Sequence, residues 1–209
     1  MNILIADDHE IVRRGLKNIL EDEFPKIRIG EAAHAAEIVE AARKKDWDIV
    51  LLDLNMPGRG GLDVLQDLKT LYPKMPVLII SAFPEQDYAL RAFKLGAAGY
   101  ISKQGASDEL LAAVRKVLAG GRYVTPALAE KLAESLGGDA PATPHELLSN
   151  RELQVLRLIA GGQTVKEIAG ELSLSEKTVA TYRARISEKM RLATNVELTR
   201  YAMQNHLVD

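Results

Sequence analysis

Five residues in the first half of the chain combine reactive chemistry with a suggestive placement. Asp7 and Asp8 close "NILIADD", Asp53 closes "DIVLLD", Ser81 closes "PVLIIS" and Lys103 closes "AGYISK". Two adjacent carboxylates about 4 Å apart repel by roughly 4 kcal/mol at a surface-like dielectric, so water, a base or a cation must compensate. Taken alone, Asp7 and Asp8 read equally well as solvated turn residues, with Asp8 opening a helix. Gathered with Asp53, they call for a hard cation. Mg²⁺ accepts one or two carboxylates, a carbonyl and several waters, and keeps positions for phosphate oxygens. An aspartate beside such an ion suits phosphoryl chemistry as the nucleophile. Lys103 would balance charge on the phosphoryl oxygens, and Ser81 would donate a hydrogen bond to one of them. The sequence has no Gly-rich loop of the Walker type, so nucleotide binding of that kind is not expected.

This chemistry requires the five residues to converge, and the surrounding pattern supplies a frame. Apolar runs at 2–6, 27–33, 48–54, 76–81 and 98–103 alternate with segments of helical period, such as Ile11, Leu16, Ile19 and Leu20, or Leu62, Leu65 and Leu68. Near-continuous apolar strands alternating with helices predict an α/β domain over 1–120, a doubly wound five-stranded parallel sheet covered on both faces. In such a sheet, functional groups gather beyond the carboxyl ends of the strands. All five residues stand at strand ends.

The 209-residue chain has a formal charge of −2 and no cysteine, which excludes disulfides, thiolate catalysis and cysteine-ligated zinc. No apolar run approaches membrane-spanning length, and a cytoplasmic protein with no membrane partner is expected. Gly pairs and prolines over 121–147 predict a linker, with room for a short helix at 126–136. From 148 to 209 no strand pattern remains. Ser149/Glu152, Thr164/Glu167 and Thr194/Glu197 form three Ser/Thr-x-x-Glu boxes, each ahead of an apolar-periodic segment, and another helix starts near Ser175. This predicts a small all-α domain. Lys177, Arg183, Arg185, Lys189 and Arg191, against Glu188 alone, make a local basic stripe. A solvated helix face is the more frequent meaning of such a stripe; polyanion binding is the other.

The set Asp7-Asp8, Asp53, Ser81 and Lys103 at these spacings resembles the receiver domain of two-component response regulators. The resemblance implies a flavodoxin-like fold and phosphorylation of Asp53 by a sensor histidine kinase. It further implies Mg²⁺ held by Asp8, Asp53 and the carbonyl of Asn55, with Asp7 assisting through water. Ser81 and Tyr100 match the family's switch pair, although Tyr100 also fits a locally packed edge-strand aromatic. Gln104 follows Lys103 where many relatives have proline.

"LLSNRELQVLRLIAGGQTVKEIAGELSLSEKTVATYRARISEKMRL" resembles the LuxR-type helix-turn-helix of NarL/FixJ-type regulators. Thr164–Leu172 then corresponds to the positioning helix and Ser175–Met190 to the recognition helix. Val179, Ile186 and Met190 are expected to face the core. Lys177, Thr178, Ala180, Thr181, Arg183, Ala184, Arg185 and Lys189 are the expected contacts to double-stranded DNA. Relatives often carry lysines where this chain has Ala180 and Ala184, and histidine where it has Tyr182. By the same resemblance, the last helix, Thr194 to about His206, is the homodimer contact in the phosphorylated or DNA-bound state.

The expected function is a transcription factor controlled by phosphorylation, which takes part in its own phosphorylation and dephosphorylation but turns over no external substrate. A metal-dependent phosphatase is the alternative from another class; such enzymes usually place an acid two residues after the nucleophile, where this chain has Asn55. A protein-binding adaptor that has lost DNA affinity is a third reading, supported only by the alanines.

Overall fold

The computed structural model describes residues 1–209 except 57, 58, 84, 106, 137–142, 206 and 209. Strands and helices alternate as the apolar runs predict: β1 (Asn2–Ala6), α1 (Glu10–Glu23), β2 (Arg28–Ala32), α2 (Ala35–Lys44), β3 (Ile49–Leu52), α3 (Gly61–Leu71), β4 (Val77–Ser81), α4 (Glu85–Lys94), β5 (Gly99–Ser102) and α5 (Ser107–Leu118). The strands pair in parallel in the order β2-β1-β3-β4-β5, the flavodoxin-like arrangement.

Every residue of β3 and β4 is buried. A strand covered on both faces needs apolar side chains in both directions, hence a continuous apolar run in place of alternation. Ile3, Ile5, Ile49, Leu51, Leu78, Ile80 and Ile101 form one cluster with Leu20 of α1 and Leu110, Val114 and Val117 of α5. Their neighbours Leu4, Val50, Leu52 and Ile79, also buried, point to the opposite face by the period of two.

The first compact unit runs Met1–Gly138 and so extends past the boundary expected at 120. Part of the segment read as linker is folded onto it. Tyr123 donates its N–H to the Ala98 carbonyl at 2.8 Å and bridges Gly99 at the free edge of β5. A Cβ on Gly99 would lie 3.0 Å from Tyr123 Cβ and 2.8 Å from Leu78 Cδ1, so the edge is shaped for this approach. A helix, α6 (Pro126–Leu136), follows. Thr125 caps it, accepting from the Leu128 N–H at 3.2 Å, and donates to Glu85 Oε1 of α4 at 2.8 Å. Pro126 occupies the first helical position, where its missing N–H costs nothing. Gly and Pro composition marks where a chain can bend; it does not say whether the following apolar residues find a surface. Leu128, only 2% exposed, has found one. Residues 137–142 of the expected linker lie outside the described residues.

The second unit, Asp139–Asp209, is helical among its described residues: a 3₁₀ turn (Pro144–Leu147), α7 (Asn150–Ala160), α8 (Val165–Glu171), α9 (Glu176–Met190) and α10 (Asn195–Gln204). All three Ser/Thr-x-x-Glu boxes form reciprocal caps, on α7, α8 and α10, and Ser175 caps α9. Each satisfies backbone donors that a helix start otherwise leaves open. Between α8 and α9 the chain turns through Ser173, at φ 53°. α10 ends at Gln204; His206, expected near its end, lies outside the described residues.

Candidate functional site

Strand register brings the acidic residues together. Ala6 of β1 pairs with Leu52 of β3, so Asp7 and Asp53 leave adjacent strands side by side. The ladder continues one step beyond each strand: the Asp53 N–H donates to the Ala6 carbonyl at 2.8 Å and the Asp7 N–H to the Ala32 carbonyl at 3.1 Å. Ser81 ends β4, and the Lys103 N–H donates to the Ser81 carbonyl at 2.8 Å. The loop after Asp53 folds back tightly, since a Cβ on Gly61 would lie 2.3 Å from the Asp53 carbonyl oxygen. Glycine is therefore required where α3 starts.

Lys103 Nζ bridges Asp7 Oδ2 at 2.6 Å and Asp53 Oδ2 at 2.7 Å. The second oxygen of Asp53 accepts from the Asn55 N–H at 3.1 Å, and that of Asp7 from the His9 N–H at 2.8 Å. Asp7 and Asp53 are buried, only 2% and 1% exposed. Burial pushes the Asp53 carboxyl above the usual aspartate range, opposed by its hydrogen bond and attraction to Lys103. For Lys103, burial works against the ammonium, but hydrogen bonds to Asp53 and Asp7 and their charges outweigh it, so its pKa is raised. The lysine stays charged, and Asp53 is costly to ionise.

Asp7, Asp8, His9 and Asp53 each offer a ligand atom within 4.8 Å of the others. Asp8 Oδ1 is buried and has no hydrogen-bond partner among the described residues; His9 Nδ1 stands 2.9 Å away without hydrogen-bond geometry. A buried carboxylate oxygen left unsatisfied costs free energy. The hard-oxygen donors of the set fit Mg²⁺. His9 is a member the sequence reading passed over, although it directly follows the acidic pair.

The two residues expected as a switch meet at one backbone unit. Ser81 Oγ accepts from the Phe83 N–H at 3.1 Å, and the Tyr100 hydroxyl donates to the Phe83 carbonyl at 2.9 Å. Tyr100 is fully buried on the edge strand β5. Among the described residues there is no cis peptide bond, and the turn after Lys103 is closed by the Gly105 N–H donating to the Ser102 carbonyl at 3.0 Å.

In the second unit, Val179, Ile186 and Met190 are buried as expected. Lys177, Ala180, Thr181, Ala184 and Arg185 form the exposed side of α9, joined by Glu188. Lys189, also exposed, and the half-buried Arg183 carry hydrogen bonds within this unit. Lys189 donates to Glu152 Oε2 at 2.6 Å, a carboxylate that is 2% exposed and caps α7. Arg183 Nε donates to Asn195 Oδ1 at 2.7 Å, at the start of α10. The 3.6-residue period explains both. Lys189 follows Ile186 by three and precedes Met190 by one, while Arg183 follows Val179 by four, so both flank the buried stripe. Thr178 exchanges a hydrogen bond with the cap Ser175 at 2.8 Å. The hydroxyl of the exposed Thr181 donates to the Lys177 carbonyl at 2.9 Å. On α10, Val196 and Met203 are exposed apolar residues, 68% and 54%.

An acidic pocket at the carboxyl edge of a 2-1-3-4-5 sheet, carried in one chain with a capped helix-turn-helix, defines a class: a signal-receiving domain followed by a DNA-binding one. Residues 3–115 match the response regulator receiver domain, and residues 146–202 match the luxR family of bacterial regulatory proteins. The response regulator GacA of Pseudomonas viridiflava is 38% identical over 210 residues, covering 100% of this chain and 98% of the relative. The response regulator UvrY of Escherichia coli (strain K12) is 36% identical, covering 99% and 95%. RcsB of Salmonella enterica serovar Typhimurium, solved bound to promoter rprA, superposes with a TM-score of 0.64 at 28% identity, covering 96% of this chain and 98% of that one. The chain belongs to the response regulator family of two-component systems, in the group with a LuxR-type DNA-binding domain. No helix among the described residues is long and apolar enough to cross a membrane.

Proposed function

We propose that this response regulator accepts a phosphoryl group on Asp53 from a sensor histidine kinase in the cytoplasm. Phosphorylation then controls homodimerisation and sequence-specific binding of double-stranded DNA. The observation that carries the reading is the Asp53 carboxylate, buried at the end of β3, bonded to Lys103 and clustered with Asp7 and Asp8.

In the step proposed, an Asp53 carboxylate oxygen attacks the phosphorus of a phosphohistidine. A P–O bond forms as the P–N bond breaks, and the imidazole leaves with the bonding pair and takes a proton from solvent. Asp8, Asp53 and the Asn55 carbonyl would hold Mg²⁺, with Asp7 assisting through water; when bound, the ion draws charge from the phosphoryl oxygens. Lys103, already charged and aimed at Asp53, moves its ammonium onto a phosphoryl oxygen. The Ser81 hydroxyl donates to another, giving up its bond from the Phe83 N–H and so disturbing the unit that Tyr100 holds. No external substrate is turned over.

Lys177, Ala180, Thr181, Ala184 and Arg185 form the DNA-facing side of α9. The exposed Val196 and Met203 of α10 form the contact with a second copy. Intact mass after treatment with acetyl phosphate and Mg²⁺ tests the acceptor: one added phosphate on the wild type and none on Asp53→Asn. Equal uptake by the variant would overturn the assignment. An electrophoretic shift on fragmented genomic DNA, with and without phosphorylation, tests the output.

A further inference from the structure

The loop that carries the acidic pair is held by a residue outside the pocket. Arg13, in the first turn of α1, donates from Nη1 to the Asp7 backbone carbonyl at 2.8 Å and from Nε to Glu31 Oε2 of β2 at 3.3 Å. The other Glu31 oxygen lies 3.5 Å from Lys17 Nζ, one helical turn further along α1. The Arg13 side chain is only 14% exposed. Since the Asp7 N–H already donates to Ala32 of β2 at 3.1 Å, the backbone of Asp7 is tied on both sides. The carbonyl held by Arg13 belongs to the peptide whose nitrogen is that of Asp8. Fixing that peptide places the Cα atoms from which the two carboxylates leave the chain.

We infer that Arg13 is a positioning residue for the cation site: it holds the Asp7–Asp8 peptide against β2 so that both carboxylates are aimed for Mg²⁺ before the ion arrives. This rests on the reading of the pocket proposed above. The residue type fits the task. A guanidinium offers donors on one rigid fork, so a single side chain satisfies a carbonyl and a carboxylate together, whereas lysine presents a point charge. Arg13 binds the backbone of Asp7 and leaves its carboxylate oxygens to others, unlike Lys103, so it does not occupy ligand atoms.

Electrostatics and positioning predict opposite signs, which makes the inference testable. Removing a positive charge near a cation site favours the cation if charge alone matters. Losing a group that orients ligands weakens metal affinity, typically by about 10- to 100-fold. Calorimetric titration of the full chain with MgCl₂ alone would compare the wild type, Arg13→Met, Arg13→Lys and Arg14→Met, with thermal unfolding recorded for each. Arg14 is an exposed neighbour on the same helix and controls for the change in net charge. The expected result is a Mg²⁺ dissociation constant raised about tenfold in both Arg13 variants and unchanged or lowered in Arg14→Met. Arg13→Lys keeps the charge and decides the matter if Arg13→Met does not fold. Wild-type affinity in a folded Arg13→Lys, or tighter binding by Arg13→Met, overturns the inference and leaves the pocket reading standing. Absence of Mg²⁺ binding by the wild type overturns both.

Discussion

Lys103 reaches past the end of β4 to donate to Oδ2 of Asp53 at 2.7 Å, joining the ends of two strands that are not neighbours in the sheet. Despite this partner, burial keeps the Asp53 pKa above its ordinary value. An acid whose folded pKa exceeds its unfolded one binds more protons when folded. Stability therefore falls as pH rises from the ordinary aspartate range through the raised folded value, and stays lower above it. Without Mg²⁺, Asp53→Asn should be more stable than the wild type at neutral pH, with a midpoint higher by about 2–4 °C per kcal/mol recovered. The gap should close as the solution is acidified below the ordinary aspartate range. Calorimetry in chelator across pH measures it, and a gap that widens in acid would contradict this account.

The Lys189–Glu152 pair gives a second, oppositely signed titration. Burial opposes ionisation of Glu152, but hydrogen bonds from Lys189 and Ser149 outweigh it and hold the carboxyl below the usual range. A depressed pKa contributes stability above the unfolded glutamate value that is lost as pH falls through the folded one. Lys189→Met should destabilise the second unit by about 1–2 kcal/mol, less than a fully buried pair because the ammonium is 40% exposed. Urea unfolding of wild type and variant between neutral pH and acid tests this, with their stabilities expected to converge in acid.

DNA affinity should separate the cations of α9 by where they stand. Lys177→Ala and Arg185→Ala should each lower affinity for specific and random duplexes alike and reduce the salt slope by about 0.9. Arg183→Ala, which loses the bond to Asn195, should show mainly as lost stability. Ala184→Lys should cost about 1–3 kcal/mol for the operator above its effect on scrambled sequence. Binding isotherms over a salt series decide each, and an unaltered operator preference in Ala184→Lys would remove that face from base reading.

The docked segment after α5 should stabilise the receiver. A fragment ending at 120 loses the burial of Leu128 and the anchoring of Tyr123 and Thr125. It should be less stable in urea by about 3 kcal/mol than one ending at 136, from one leucine-sized burial and a hydrogen bond or two. Thr125→Val, which loses both a cap and the bond to Glu85, should account for about 1 kcal/mol of that. Equal midpoints for the two fragments would mean the segment is held only weakly.

The sequence by itself determined most of the frame, because its signals there are local. The apolar runs became β1 to β5. Strands β3 and β4 are buried at every residue, where a parallel strand covered on both faces tolerates little else, while the edge strand β2 carries Arg28 and Glu31 exposed. The three capping boxes formed as read, since a box closes on its own backbone within four residues. Asp7, Asp53, Ser81 and Lys103 were legible as one pocket because strand ends in such a sheet share one edge. Long-range partners were decided only by the tertiary structure. Nothing local tells Lys189 that a buried carboxylate 37 residues away will claim its ammonium, or Thr125 that α4 will present Glu85. Arg13 reads as one more helix cation until β2 brings Glu31 beside it. Charge and composition say what a side chain can bind. Which partner it meets depends on the packing of elements distant in sequence, where register and helix phase select one neighbour among many.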